Sequence, residues 1–230
     1  MLQAIPSITQ MDWNAVYQQH IIESGEPLVN LNDMQNCRIQ VSAIYHQQGI
    51  PFAQPHCYAR QSVAARLQDA STYLPAGYHL LILDAWRPYL LQKQLIECFR
   101  HDIMQKNPAM SAEQLAEVLA LFVAEPSEDP LKPSPHLTGG SVDLTLCDEH
   151  GTALDMGTAF DEASEYSWTA SFEQTQTDPT VQHNRRVLYW AMRHAGFTNL
   201  PTEWWHYDFG NQLWCYFSQQ AQAIYSKTSV

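Results

Sequence analysis

An imidazole and a carboxylate stand seven residues apart in Ser134-Pro-His-Leu-Thr-Gly-Gly-Ser-Val-Asp143, with two adjacent glycines between them. Gly139 and Gly140 exclude a helix over that interval, so the spacing is not two helical turns. Taken as a two-residue hairpin loop, they pair Thr138 with Ser141 and Leu137 with Val142, and set His136 opposite Asp143. Directly opposed residues hold their Cβ atoms ~5 Å apart, which suits two ligands of one metal ion. The pattern also fits a polar hairpin end with an incidental histidine and aspartate.

Glu203-Trp-Trp-His206 is the second such segment. Regular strand alternation would send Glu203 and His206 to opposite faces. The residues after His206 favour a strand, which places Glu203 in the turn after Pro201, where it can curl over a metal held by His206. Two neutral imidazoles and one carboxylate leave a position open on tetrahedral zinc for water. A further carboxylate beside that water can take its proton and later pass it to a leaving amine. The helical zinc signature H-E-x-x-H is absent from the chain. The plainer alternative for Glu203 is a surface ion pair, and for Trp204 and Trp205 a place in the core. In Asp84-Ala-Trp-Arg-Pro88, Arg87 leaves an apolar strand at the start of a helix. It either reaches a carbonyl oxygen that becomes negative during reaction or pairs locally with Asp84.

These residues need elements to hold them. Apolar spacing predicts helices over 12–23, 61–74 and 182–195, the last stopped by Gly196. Pro88 suits the first turn of a helix running through Leu90, Leu91, Leu95, Ile96 and Phe99. Ser111-Ala-Glu-Gln114 is a capping box opening a helix to about Ala124. Tyr78–Asp84 and Ser141–Cys147 read as strands, and Trp204–Phe209 with Gln212–Phe217 as a hairpin about Gly210-Asn211. Four prolines between Glu125 and Pro135 mark a loop. With helices first and antiparallel strands later, the class is α+β: a single domain over 1–230, with helices packed on a small antiparallel sheet.

Composition narrows the function further. The 230 residues carry 12 Lys+Arg against 24 Asp+Glu, a net charge of −12, with no basic cluster. That excludes a nucleic-acid partner that tracks phosphates. Charged residues make up only 16% of the chain, and 22 glutamines keep its surface polar instead. The longest strongly apolar stretch, Leu80 to Leu83, is too short to cross a bilayer, so no membrane partner is expected. Five scattered cysteines without C-x-x-C spacing, and an N-terminus without a basic, apolar and cleavage-site pattern, lead to an expected cytoplasmic location.

Together the segments resemble one family, the zinc-dependent D-alanyl-D-alanine dipeptidases known from vancomycin resistance and dipeptide scavenging. The resemblance runs from about Cys57 to Phe217. It includes Cys57-Tyr-Ala-Arg60, the D-x-[WY]-R-P pattern ending at Pro88, and S-x-H-x-x-G-x-x-x-D over Ser134–Asp143. Met156-Gly-Thr-Ala-Phe-Asp161, Asn184-Arg-Arg186 and Glu203-Trp-Trp-His-Tyr207 follow in the family's order. The resemblance implies the small α+β zinc-peptidase fold shared with Hedgehog signalling domains. It also implies one Zn2+ per chain held by His136, Asp143 and His206, with Glu203 as general base and acid and Arg87 stabilising the oxyanion. Asp161 would meet the free amine of a small dipeptide substrate, and Ser134 its carboxylate end. The implied reaction is hydrolysis of free D-Ala-D-Ala by a zinc-bound water. Ser141 stands where a common family form has alanine, and Thr138 where some members have arginine; both departures bear on substrate fit. Residues 218–230 read as a tail.

Overall fold

The computed structural model describes residues 2–8, 11–122, 126–174 and 178–230. Its strands are β1 (Leu28–Asn30), β2 (Ile39–Val41), β3 (Tyr58–Arg60), β4 (His79–Asp84), β5 (Ser141–Cys147), β6 (Thr198–Asn199) and β7 (His206–Asp208). Its α-helices are α1 (Trp13–Tyr17), α2 (Ile44–Gln47), α3 (Gln61–Thr72), α4 (Tyr89–Lys106), α5 (Ala112–Phe122), α6 (Pro179–His194) and α7 (Gln212–Ser218). Five strands form one sheet in the order β2-β4-β5-β7-β6, and β1 pairs with β3 separately. The architecture is α+β as expected, but the main sheet is mixed. β2 lies parallel to β4, while every other neighbour is antiparallel. A parallel pair needs a long crossover, and the chain between β2 and β4 supplies it through β3 and α3.

β5 is the organising strand. All seven of its residues are buried, so both faces of the sheet are covered there. Val142, Leu144 and Leu146 pack in one cluster with Val63 and Leu67 of α3 and Leu188 and Met192 of α6. Truncating one such leucine to alanine should cost roughly 2–5 kcal/mol. Strand alternation sends Ser141, Asp143 and Thr145 to the other face. Polar residues at this depth need partners, and the site provides them.

Several local expectations hold, and others shift for identifiable reasons. The capping box is formed: Ser111 N donates to Gln114 Oε1 at 2.9 Å, and Gln114 N to Ser111 Oγ at 3.2 Å. Residues 123–125, where its helix was expected to end, lie outside the described residues. α6 begins three residues earlier than its apolar spacing suggests, because Pro179 occupies its first turn and Asp178 caps it. Pro88 sits at the N-cap of α4, one position outside the expected first turn. The first helix is only Trp13–Tyr17, and Ile21 instead bridges Ala223.

The expected hairpin at Gly210-Asn211 is not one. Asn211 Oδ1 accepts from Trp214 N at 2.9 Å and opens α7, so the dipeptide signals a turn and a helix cap. Gly210 has φ +77°, and a Cβ there would lie 2.3 Å from the Tyr225 ring. Residues 218–230 are likewise no loose tail. Ala223 and Tyr225 are buried, Trp86 Nε1 donates to Thr228 O at 3.1 Å, and Thr228 N donates to Leu137 O at 3.0 Å. The C-terminal segment therefore braces the turn that carries His136.

Candidate metal centre

His136 reaches the site from a 3-10 turn, Pro135–Thr138, and not from a hairpin strand. Gly139 ends that turn at φ +71°, and Thr138 Oγ1 accepts from Gly140 N at 3.0 Å. A Cβ on Gly139 would come within 2.5 Å of Leu28 Cδ2, and one on Gly140 within 2.5 Å of Phe209 O. The two glycines are thus required by close packing, and the pairing of His136 with Asp143 across a ladder does not occur. Asp143 instead faces His206, its directly opposed partner between β5 and β7. Register between two adjacent strands sets these two ligand candidates side by side, and the turn brings in the third.

The three side chains converge closely. His136 Nε2 lies 3.2 Å from His206 Nδ1 and 3.3 Å from Asp143 Oδ2, while His206 Nδ1 lies 3.0 Å from Asp143 Oδ1. With metal–nitrogen bonds of ~2.0–2.1 Å, a tetrahedral ion separates its ligand atoms by ~3.3 Å. The outer ring nitrogens are already engaged. Ala85 O, which can only accept, lies 2.7 Å from His136 Nδ1, so that nitrogen carries hydrogen and Nε2 is the ring atom left to face the cluster. Asp208 Oδ1 lies 3.1 Å from His206 Nε2 and orients that ring with Nδ1 inward. Asp208 Oδ1 also accepts from Ser141 Oγ at 2.7 Å and from Asn211 Nδ2 at 2.6 Å. The cluster of two imidazoles and a carboxylate fits a divalent metal ion in both donor chemistry and spacing.

Charge around the cluster follows from burial and neighbours. Burial alone would raise Asp143, but His136 and His206 hold it well below the usual carboxylate range. Burial would lower His206, yet Asp208 and Asp143 raise it well above the ordinary histidine value. Glu203 is pushed up to about 8, chiefly by burial, with His206 pulling it down and Asp143 and Asp161 adding to the rise. As expected, Glu203 sits in the turn after Pro201, where its backbone N donates to Leu200 O at 3.0 Å. Its Oε2 lies 3.8 Å from His206 Nδ1, beside the cluster without bonding to it.

Arg87 shares its guanidinium among several groups. Nε donates to Asp84 Oδ2 at 2.8 Å, Nη1 to Gln92 Oε1 at 2.7 Å, and Nη2 to Asp143 Oδ2 at 3.1 Å. Both sequence alternatives for Arg87 are therefore geometrically present, the local Asp84 pair and a position in the site. Burial would lower Arg87, but Tyr45, Asp84, Asp143 and Asp161 hold it above the usual arginine range. A register shift between Ile82 and Asp84 in the β4–β5 ladder accompanies the turn of Asp84 toward this group.

A cavity of about 310 Å³ opens over the cluster, lined by Tyr45, Arg87, Asp161 and Glu203 among others. Asp161 is exposed at its rim and holds φ +60°, a left-handed conformation uncommon outside glycine. Its carboxylate accepts the Tyr45 hydroxyl at 2.6 Å. Burial is the main upward push on Asp161, with Asp143 adding to it, while the Tyr45 bond and Arg87 oppose it. Ser134 is placed differently from the other candidates. Its N donates to Ser127 O at 3.1 Å and its Oγ accepts from Ser127 N at 2.7 Å, while the cavity wall runs through Pro135 and His136. Thr138 and Ser141 also lie behind the ligands, in the turn and on Asp208, outside the cavity lining.

Sequence reasoning missed Tyr45, Gln92 and Asp208. Asp208 was findable, because it lies two residues after His206 on the same face of a strand. Gln92 stands one turn into the helix after Arg87, a weaker signal, and nothing around Tyr45 marks it.

Comparison with known proteins agrees with this geometry. The family described as D-ala-D-ala dipeptidase matches residues 41–227. A D-alanyl-D-alanine dipeptidase of Synechocystis sp. is 28% identical over 226 residues, covering 90% of this chain and 91% of its own. One from Escherichia coli is 28% identical over 174 residues, covering 72% and 77%. Another from Enterococcus faecalis is 30% identical over 156 residues, covering 64% and 70%. The matched span contains the whole histidine–aspartate cluster together with Arg87, Asp161 and Glu203, and on that extent the chain belongs to the D-ala-D-ala dipeptidase family of metallopeptidases and is a dipeptidase.

Proposed function

We propose that the protein hydrolyses free D-Ala-D-Ala to two molecules of D-alanine, with one zinc ion held by His136 Nε2, Asp143 and His206 Nδ1. The observation that carries this reading is the inward convergence of those ligand atoms, with each outer imidazole nitrogen already engaged. A zinc ion bound there supplies Lewis acidity, polarising the peptide carbonyl and making water acidic enough to lose a proton near neutral pH.

The chain's own groups do the rest. Glu203 accepts a proton from the attacking water and delivers it to the amine nitrogen as the C–N bond breaks. Its raised affinity for protons in the buried cavity suits a group that must both accept and release one. Arg87, fixed by Asp84 and Gln92, stabilises negative charge on the carbonyl oxygen. Asp161, oriented by Tyr45, takes the substrate's free ammonium at the rim. Ser134 contributes by tying the Ser127 loop to the wall, since both its N–H and its hydroxyl engage that residue. The five unpaired thiols fit a reducing, cytoplasmic setting.

The test is release of D-alanine by zinc-loaded protein from D-Ala-D-Ala, beside N-acetyl-D-Ala-D-Ala and L-Ala-L-Ala. Cleavage of the free D,D-dipeptide alone is expected. Preference for the acetylated peptide would overturn the dipeptide reading and move the activity to a carboxypeptidase.

A further inference from the structure

Asn199 closes β6 and is buried, with 8% of its surface exposed. Its side-chain Nδ2 donates to Glu203 O at 3.0 Å and to His206 O at 2.9 Å. Its Oδ1 accepts the Thr169 hydroxyl at 2.7 Å. Backbone carbonyls can only accept, so the orientation of this amide is dictated by its surroundings, and both its donors and its acceptor are used. Thr169 holds the same turn a second time, donating from its backbone N to Pro201 O at 2.9 Å.

The turn is also held by Glu203 N donating to Leu200 O at 3.0 Å. But Glu203 lies outside any strand, and the direct backbone link to the ligand, His206 N to Glu203 O, is long at 3.4 Å. His206 O keeps a bond from Leu200 N at 3.1 Å, but Glu203 O has the Asn199 amide as its short partner. Thr169 also belongs to the segment that carries Asp161. That segment is joined to the turn at Trp204, whose N donates to Ser167 O at 3.0 Å and whose Nε1 donates to Thr158 Oγ1 at 2.8 Å.

We infer that Asn199, clasped by Thr169, is a positioning residue that fixes the separation between the Glu203 carboxylate and the His206 imidazole. The inference rests on the roles given above to Glu203 and His206. Asn199 touches neither substrate nor metal; it acts through two backbone carbonyls, one on the proton carrier and one on the metal ligand. Loss of such outer partners commonly lowers metal affinity or activity by about 10–100-fold.

The experiment compares Asn199→Leu, Thr169→Val and Thr169→Ser in the full chain. It reads kcat and KM for D-Ala-D-Ala, zinc affinity by competition with a chelator, and the visible spectrum of the Co2+-substituted protein. Asn199→Leu should lower kcat about 10–100-fold with KM changed less than about threefold, weaken zinc about tenfold and alter the cobalt spectrum. Thr169→Val should move in the same direction by a smaller factor, and Thr169→Ser, which keeps the hydroxyl, should stay near wild type. A folded Asn199→Leu protein with kcat and zinc affinity within about twofold of wild type overturns the inference. If Asn199→Leu fails to fold, Thr169→Val matching Thr169→Ser in zinc affinity and cobalt spectrum overturns it instead. Wild-type protein that binds zinc but leaves D-Ala-D-Ala intact would sink the proposed function, while the zinc and cobalt measurements still judge the clasp.

Discussion

Asp143 and His206 stand opposite each other on paired strands, with 1% and 4% of their surfaces exposed, whereas Asp161 stands on a loop at the cavity rim with φ +60°. The metal side is held by strand register, by a carbonyl and a carboxylate behind its two imidazoles, and by a core cluster on the far face of β5. The Asp161 rim is held by a tyrosine hydroxyl from a four-residue helix and by a segment of short 3-10 turns. Register and close packing allow few alternative arrangements, while loops repack at low cost. On the proposed function, the chemistry would sit on the part held by register and close packing, and substrate selection on the loop part. Changes on the metal side should abolish the reaction, and changes at the rim should redirect it.

The sharpest way to break that comparison is His206→Ala. It should lose bound metal and lower turnover by roughly a thousandfold or more, with metal analysis and kinetics read on the same sample. Full zinc occupancy in that variant would remove His206 from the ligand set. Glu203→Gln should keep its metal and still lose roughly 10²–10⁴ in kcat, because the water no longer has a proton acceptor. Arg87→Lys should cost roughly 10²–10³ in kcat with metal retained, since an ammonium cannot reproduce the forked contacts to Asp84, Gln92 and Asp143. A thermal melt should accompany it, because Asp84 is buried against that guanidinium.

Rim substitutions sharpen the contrast from the other side. Asp161→Asn should leave zinc affinity unchanged and reduce the preference for free over N-acetylated dipeptide by about tenfold, measured as a ratio of kcat/KM values. Unchanged selectivity would place the ammonium contact elsewhere. Tyr45→Phe should have the smallest effect. It removes one hydroxyl between Asp161 and Arg87 and should raise KM by about two- to tenfold with little change in kcat. A rim variant that stripped the metal would erase the distinction between the two sides.

Local pattern carried a large part of the fold. The capping box at Ser111, the strand Ser141–Cys147 and the placement of Glu203 in a turn after Pro201 all depend on neighbours a few residues away. The misreadings share a cause. Gly139-Gly140 and Gly210-Asn211 both carry the signal of a two-residue hairpin, yet the first is demanded by Leu28 and Phe209 and the second by Tyr225 and the start of α7. Glycine marks a place where something comes close, and a single sequence does not say what. The C-terminal segment reads as a tail because its partners, His20, Trp86 and Leu137, lie far away in the chain.

By itself the sequence determined which side chains could do the chemistry, because histidine, aspartate, glutamate and arginine in these motifs have few other collective uses. It also determined the strands that bear Asp143 and His206, through hydrophobic period, though not the turn that bears His136. Tertiary structure alone decided that Asp143 stands opposite His206 across the strand ladder while His136 arrives from a turn, that Ala85 O and Asp208 turn the two imidazoles inward, and that Tyr45 meets Asp161. Asp143 and His206 are 63 residues apart in sequence, and Tyr45 and Asp161 are 116 apart. Separations of that length are set by strand register and by packing of the whole core, and no local spacing encodes them.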